Sequence, residues 1–288
     1  GYRLAKEKYG ALTAGIGYFP LDWWGFSGRA WRFRAFDEAQ SRLLALSGWS
    51  GALAQILAAR GVTRESAESF LEPRLKTLLP EPYRIAHMEH AVSRFAEAIA
   101  KGEKIAVFGD YDVDGACASA LLVKYLRGLG LDPVLYIPDR MKEGYGPSAG
   151  AVRRLREEGA CLLVTVDCGA ASHDAFAAAR DVGLDAIVID HHAVEQNPPV
   201  LAHVNPNGPD DRSGFTYICS AGLVFIFLVA VHRQLRDKGW FAAAGKSEID
   251  LLWHLDIVAL ATVADVVPLL GVNHAFLRQG MSPVLEVW

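Results

Sequence analysis

Three aspartates at alternate positions, Asp110, Asp112 and Asp114, stand where a short apolar run breaks off, in the stretch from Val107 to Gly115 that reads V-F-G-D-Y-D-V-D-G. The run before them, Lys104 to Phe108, is nearly continuous in apolar residues, as a strand buried on both faces requires. Gly109 ends it, and beyond the aspartates a helical spacing sets in with Ala116, Ala120, Leu121, Val123, Lys124 and Leu126. Strand, acidic turn and helix in that order predict one unit of an open α/β sheet, whose ligands gather outside the carboxyl ends of the strands. Three carboxylates crowded there repel one another, because like charges about 4 Å apart cost several kcal/mol at intermediate dielectric. A divalent cation would neutralise them. A turn followed by a helix N-cap is the plainer reading, and it accounts for one or two of the aspartates but not all three.

The same event recurs down the chain. Leu162 to Val166 runs into Asp167-Cys168-Gly169, and Ala186 to Ile189 runs into Asp190-His191-His192. Strand patterns (also Pro133 to Ile137) alternate with helical ones (Met88 to Ile99, Ala149 to Glu158, Asp174 to Val182), which predicts a doubly wound α/β domain with a mainly parallel sheet. Two apolar helices, Ala221 to Leu235 and Ile249 to Ala264, are expected to complete the core, with Asn205 to Asp211 as a loop. A mostly helical region precedes this domain. Its aromatic opening (Tyr18, Phe19, Trp23, Trp24, Phe26, Trp31, Phe33) shows no period, and Phe70 to Pro82 reads as a proline-punctuated connector. The expected division is therefore 1–82, N-terminal region and connector, and 83–288, α/β domain with C-terminal helices.

Each strand thus carries a ligand type to one edge of the sheet, and a fourth acid, Asp265, follows an apolar helix. Hard oxygen donors with imidazole suit Mn²⁺ or Mg²⁺, one ion or two, better than a thiolate metal. Read singly, Asp167 opens a turn, His192 is a hydrogen-bonded neighbour and Asp265 is a surface acid. Jointly those readings require independent coincidences at one sheet edge. The four cysteines form no C-x-x-C pair and sit in apolar contexts, so they are expected to be reduced core residues, as in the cytoplasm. The longest apolar run, Ala221 to Val231, is shorter than the roughly 20 residues that span a bilayer, so no membrane association is expected. A net charge of −4 argues against indiscriminate binding of polyanions, whose non-specific affinity rests on phosphate neutralisation.

In order, Asp110-Tyr111-Asp112-Val113-Asp114-Gly115, Thr165 to Gly169, Asp190-His191-His192 and Ala264-Asp265-Val266-Val267-Pro268-Leu269 resemble the four motifs of the DHH phosphoesterase superfamily. Within it, Phe70 to Leu75, Ile137 to Arg140 and Glu143 to Gly146 are similar to the single-strand-specific 5′-to-3′ DNA exonuclease branch. The resemblance implies that Asp112, Asp114, Asp167, His191 and Asp265 bind metal, while Asp110 and His192 serve catalysis by positioning water or handling protons. Phe108 stands where pyrophosphate-hydrolysing members carry a histidine, so one ligand of a metal position is missing. The implied partners are single-stranded DNA and DNA-repair proteins.

Arg140, Lys142 and Tyr145 follow a strand end and offer two phosphate contacts and a stacking face; a solvated loop is the other reading of the three. Relatives in this branch continue into further substrate-binding domains, so the chain, which opens with Gly1 in place of Met, is expected to be a catalytic core without its clamp. A hydrolase of short oligonucleotides or cyclic dinucleotides, and a non-catalytic subunit that binds nucleic acid or a protein, are the competing readings. Asp114→Ala and Asp167→Ala are each expected to abolish hydrolysis while leaving the fold intact.

Overall fold

The computed structural model describes residues 23–24, 30–31 and 34–286. Of the aromatic opening, Tyr18, Phe19, Phe26 and Phe33 lie outside the described residues. The chain divides into two compact units, Gly1–Glu72 and Pro73–Trp288.

In the first unit β1 (Trp23–Trp24) pairs antiparallel with β2 (Ala30–Trp31). Helices α1 (Glu38–Leu46), α2 (Gly51–Ala58) and α3 (Ala67–Leu71) follow. Asp37 and Ser50 start the first two by accepting from the amides of Gln40 and Leu53, as short polar N-cap side chains do. Leu44, Leu57 and Val62 form the buried centre.

The second unit begins at Pro73 rather than at residue 83. The proline-punctuated stretch folds into α4 (Leu75–Leu78) and a 3₁₀ turn (Pro82–Arg84), and Leu75 and Ile85 are buried in the same core as Met88 and Phe95. Helix α5 (Met88–Lys101) then delivers the chain to β3 (Ile105–Gly109). After it come α6 (Val113–Gly128), β4 (Val134–Tyr136), α7 (Arg140–Glu143), α8 (Ala149–Glu157), β5 (Leu162–Val166), α9 (His173–Asp181), β6 (Asp185–Ile189) and β7 (Ala202–Val204). The five strands are parallel, in the order β4-β3-β5-β6-β7. Every residue of β3 and β5 is buried, which explains their continuous apolar runs. Side chains alternate between faces with period two: Ile105, Val107, Val164 and Ile187 join one core, and Ala106, Phe108, Leu163 and Val188 the other. Strand order reverses between β3 and β5, so connections leave in opposite directions there and open a crevice at the strands' carboxyl ends.

Four more helices complete the unit: α10 (Ser220–Asp237), α11 (Trp240–Ala243), α12 (Leu255–Ala264) and α13 (Gly271–Glu286). The helix expected to start at Ile249 starts at Leu255, because the Asp250 side chain accepts from the Leu252 amide and first sets up a 3₁₀ turn over Leu251–His254. Among the described residues no helix is long and apolar enough to cross a membrane.

Helix α13 lies on α12, which carries Asp265 at its end. A Cβ at Gly280 would fall 2.1 Å from the Leu255 carbonyl oxygen and 2.7 Å from Ala259 Cβ. Alanine ordinarily gains about 1 kcal/mol over glycine in a helix, but a backbone carbonyl of the neighbouring helix cannot swing aside. Gly280→Ala is expected to lower the unfolding free energy by roughly 1–3 kcal/mol, the usual cost of overpacking, in urea melts; a stabilised variant would contradict this contact.

Candidate metal centre

The acids reach one place by different local devices. Asp112 caps α6, its Oδ1 accepting from the Gly115 amide at 2.9 Å. Two residues later, Asp114 aims away from its own helix at the start of α10. Its Oδ2 accepts from the Ser220 amide at 2.7 Å and its Oδ1 from the Ala221 amide at 2.8 Å. Asp167 leaves β5 at φ 60°, and Val266, directly after Asp265, sits at φ 57°. The left-handed region is uncommon for any residue with a Cβ and a true outlier for a β-branched one. Strain of this kind persists only where the surroundings overdetermine it, and here it adjoins two of the acids.

His191 Nε2 faces three carboxylates, 3.3 Å from Asp167 Oδ1 and 3.8 Å from both Asp114 Oδ2 and Asp265 Oδ2. Asp114, His191 and Asp265 form one group whose ligand atoms lie within 4.8 Å of one another, and Asp110, Asp112 and Asp167 form another. Asp167 therefore stands between the two. Within the second group, Asp110 Oδ1 is buried and has no hydrogen-bond partner among the described residues. An unsatisfied buried acceptor costs about 1–3 kcal/mol, and more when charged, and a hard cation is a partner of the right sign. Carboxylates with one imidazole fit Mn²⁺ or Mg²⁺.

Burial, followed by repulsion from Asp112, pushes the Asp110 carboxyl up to about 6. Burial also pushes Asp167 up to about 7, against the hydrogen bond from His191. Asp114 and Asp265 are raised as well, chiefly by burial. His192 is raised to about 9 by its hydrogen bond to Asp190, the Nδ1 lying 2.7 Å from Asp190 Oδ1. For His191, burial disfavours the cation, but the bond to Asp167 and the surrounding carboxylates outweigh it and raise the ring. Burial pushes Asp190 up, yet His192 and the amides of Ala170 and His192 hold it below the ordinary value.

Asp110, Asp112, Asp114, Asp167, His191, His192 and Asp265 are thus brought together. Tyr145 joins them: its hydroxyl donates to the Asp167 carbonyl at 2.9 Å and its ring meets His192 edge-on at 6.1 Å. Arg140 is in α7 rather than a loop, its guanidinium 4.5 Å over the Tyr111 ring. Lys142 is not drawn in; its ammonium pairs with Asp139 at 3.3 Å and the side chain is 82% exposed. Phe108 stacks on Tyr136 inside the core, at 5.1 Å. Ser220 escaped the sequence reading, although its hydroxyl donates to Asp167 Oδ1 at 2.9 Å. So did Asp190 as a holder of His192. The serine's only signal is its place just ahead of an apolar helix.

An open parallel sheet with acids and histidines at the ends of β3, β5 and β6 is the layout of the DHH family, and the chain belongs to that family: residues 104–262 match its N-terminal domain. The chain is 39% identical over 234 residues to the single-stranded-DNA-specific exonuclease RecJ of Salmonella typhimurium, a match that covers 81% of this chain and 40% of that protein. Its identity to RecJ of Bacillus subtilis is 34% over 232 residues, 80% of this chain and 28% of the relative. It therefore spans 40% or less of these relatives' length. Among solved structures, RecJ in complex with Mn²⁺ from Thermus thermophilus matches with a TM-score of 0.68 and 31% identity, over 87% of this chain and 34% of that one. A structure of exonuclease RecJ bound to manganese matches with a TM-score of 0.60 and 34% identity, over 73% of this chain and 50% of the other.

Two outcomes follow from the geometry. Asp114→Ala removes both acceptors at the start of α10, a stability cost that charge repulsion alone does not anticipate. Losing a cap costs about 0.5–2 kcal/mol and stranding buried amides about 1–3, against partial relief of repulsion. A net loss of roughly 1–3 kcal/mol is expected in denaturant melts of the metal-free protein, and an unchanged or higher stability would contradict the capping role.

The second outcome concerns pH. Asp110 and Asp167 hold protons in the folded state that the unfolded chain, with its ordinary value of 3.8, has released. Their contribution therefore falls as pH rises from about 4 to about 7. His192 adds a contribution that is whole below 6.5 and lost as pH rises through about 9. The depressed Asp190 acts oppositely near and below 3.8, and His203, lowered to about 4 by burial, acts oppositely between about 4 and 6.5, which only partly offsets the two aspartates. The metal-free thermal midpoint should decline from about pH 5 to about pH 9; a midpoint rising over that span would contradict the assignment.

Proposed function

We propose that the chain is the metal-dependent phosphodiesterase core of a 5′-to-3′ exonuclease acting on single-stranded DNA in repair and recombination, working in the reducing cytoplasm. The observation that carries this is the convergence of Asp114, Asp167 and Asp265 on His191 Nε2 at 3.3–3.8 Å, beside the unpartnered Asp110 oxygen. The resemblance to RecJ proteins supports the substrate class.

Asp112, Asp114, Asp167, His191 and Asp265 would hold Mn²⁺ or Mg²⁺, with Asp110 oriented to join them or to position water. When bound, such an ion supplies Lewis-acid stabilisation of phosphoryl oxygens and lowers the pKa of water. The Asp114 carboxylate, fixed by two amides, keeps its remaining lone pairs in place for a ligand role. His192 has its Nδ1 engaged by Asp190, which leaves Nε2 to hold a proton and pass it to the departing oxygen at neutral pH. Tyr145 steadies the Asp167 backbone and offers half its surface to a nucleotide, while Arg140 over Tyr111 offers a cation and a ring to phosphate and base. DNA-repair proteins are the proposed partners.

The test is release of nucleotides from 5′-labelled single strands with Mn²⁺, beside duplex and dinucleotide controls. Single strands should be preferred, and exclusive hydrolysis of dinucleotides would overturn the reading. In the same assay His191→Ala should lose Mn²⁺ affinity, measured by calorimetry, whereas His192→Ala should keep it and lose about 10²–10⁴-fold in turnover, the usual range for a general acid. Equal loss of affinity in both would merge the two roles.

A further inference from the structure

Every polar backbone group of His191 and His192 is taken by a side chain. Asp190 Oδ1 accepts from the amides of His191, at 2.7 Å, and His192, at 3.2 Å. On the other side, Asn207 Nδ2 donates to the His191 carbonyl at 2.6 Å and Asn205 Nδ2 to the His192 carbonyl at 2.9 Å. The two asparagines belong to the loop after β7, Asn205-Pro206-Asn207. They are locked to each other, because Asn205 Oδ1 accepts from the Asn207 amide at 2.8 Å. That bond fixes which end of the Asn205 amide is oxygen.

Its nitrogen therefore also donates to His203 Nε2 at 3.2 Å, and His203 must carry its proton on Nδ1, which faces Asn197 Oδ1 at 2.8 Å. Burial keeps His203 neutral by lowering it to about 4. A buried, fully satisfied network of this kind rigidifies what it holds. It also explains why β7 has a histidine at its centre.

We infer that Asn205 and Asn207 are positioning residues of the metal centre, each gripping one histidine by its carbonyl: Asn207 sets the aim of His191 and so the affinity for metal, and Asn205 sets the aim of His192 and so proton transfer. The inference rests on the functional reading above. The two asparagines act through the backbone, against the Asp190 carboxylate on the opposite side.

The test uses the full chain with Mn²⁺ alone, by titration calorimetry, and thermal melts of the metal-free protein. Partners that orient metal ligands typically govern 10–100-fold in affinity. Asn207→Asp, which turns a donor into an acceptor facing a carbonyl, should weaken Mn²⁺ at least tenfold with the metal-free midpoint nearly unchanged, since the side chain is only half-buried. Asn207→Ala serves as the second variant and should act in the same direction. Asn205→Ser should leave Mn²⁺ affinity close to the wild type and lower kcat more than it raises KM. Wild-type Mn²⁺ affinity in both Asn207 variants, or losses that merely follow a lowered midpoint, would overturn the inference alone. A wild-type chain that binds no Mn²⁺ would remove the functional reading and this inference with it.

Discussion

The Asp114 carboxylate seated on the first two amides of α10 is the contact on which the site depends. Helix α10 has 18 residues and runs through the core, buried from Ser220 to Leu228. Its N-terminus carries partial positive charge and unsatisfied N–H groups, and both are turned on the acidic cluster. Several buried carboxylates can thus share a crevice before any ion arrives. Ser220, at the head of the same helix, extends the grip to Asp167. Fold and site are coupled at one helix end, since the acid that starts the helix is also placed to bind metal.

Around that contact the charges are arranged in opposition. His191 is drawn toward its cationic form by the carboxylates it faces, and the buried acids are held above their ordinary range. A divalent cation would let the acids ionise and release His191 to coordinate as a neutral ring. The backbone is tensioned in the same place, with left-handed conformations at Asp167 and Val266. Asp190 stands apart from this logic. Depressed rather than raised, it keeps a fixed negative charge under His192.

What could be read from the chain alone was set by sequence distance. Strands β3, β5 and β6 were legible because buried parallel strands are continuous apolar runs, and the acids stood out because they interrupt such runs. Asp114 as a helix cap was not legible, since its donor Ser220 lies 106 positions away. Strand β7 was hidden because it has three residues with His203 at the centre, and its pairing with β6, not its composition, makes it a strand. Asn205 and Asn207 read as an ordinary turn because asparagine favours turns anyway. Arg140 and Lys142 read as equivalent basic residues; only three dimensions separate the guanidinium stacked on Tyr111 from the ammonium turned to Asp139.

The central claim is that the cluster around His191 Nε2 is a metal centre built in advance by the α10 N-terminus. Crystals soaked in Mn²⁺ and measured at the manganese absorption edge test it most directly. The account predicts an anomalous peak in contact with Asp114, Asp167, His191 and Asp265, with the amides of Ser220 and Ala221 still on Asp114. A peak elsewhere, or an ion bound only after Asp114 has left α10, would contradict it.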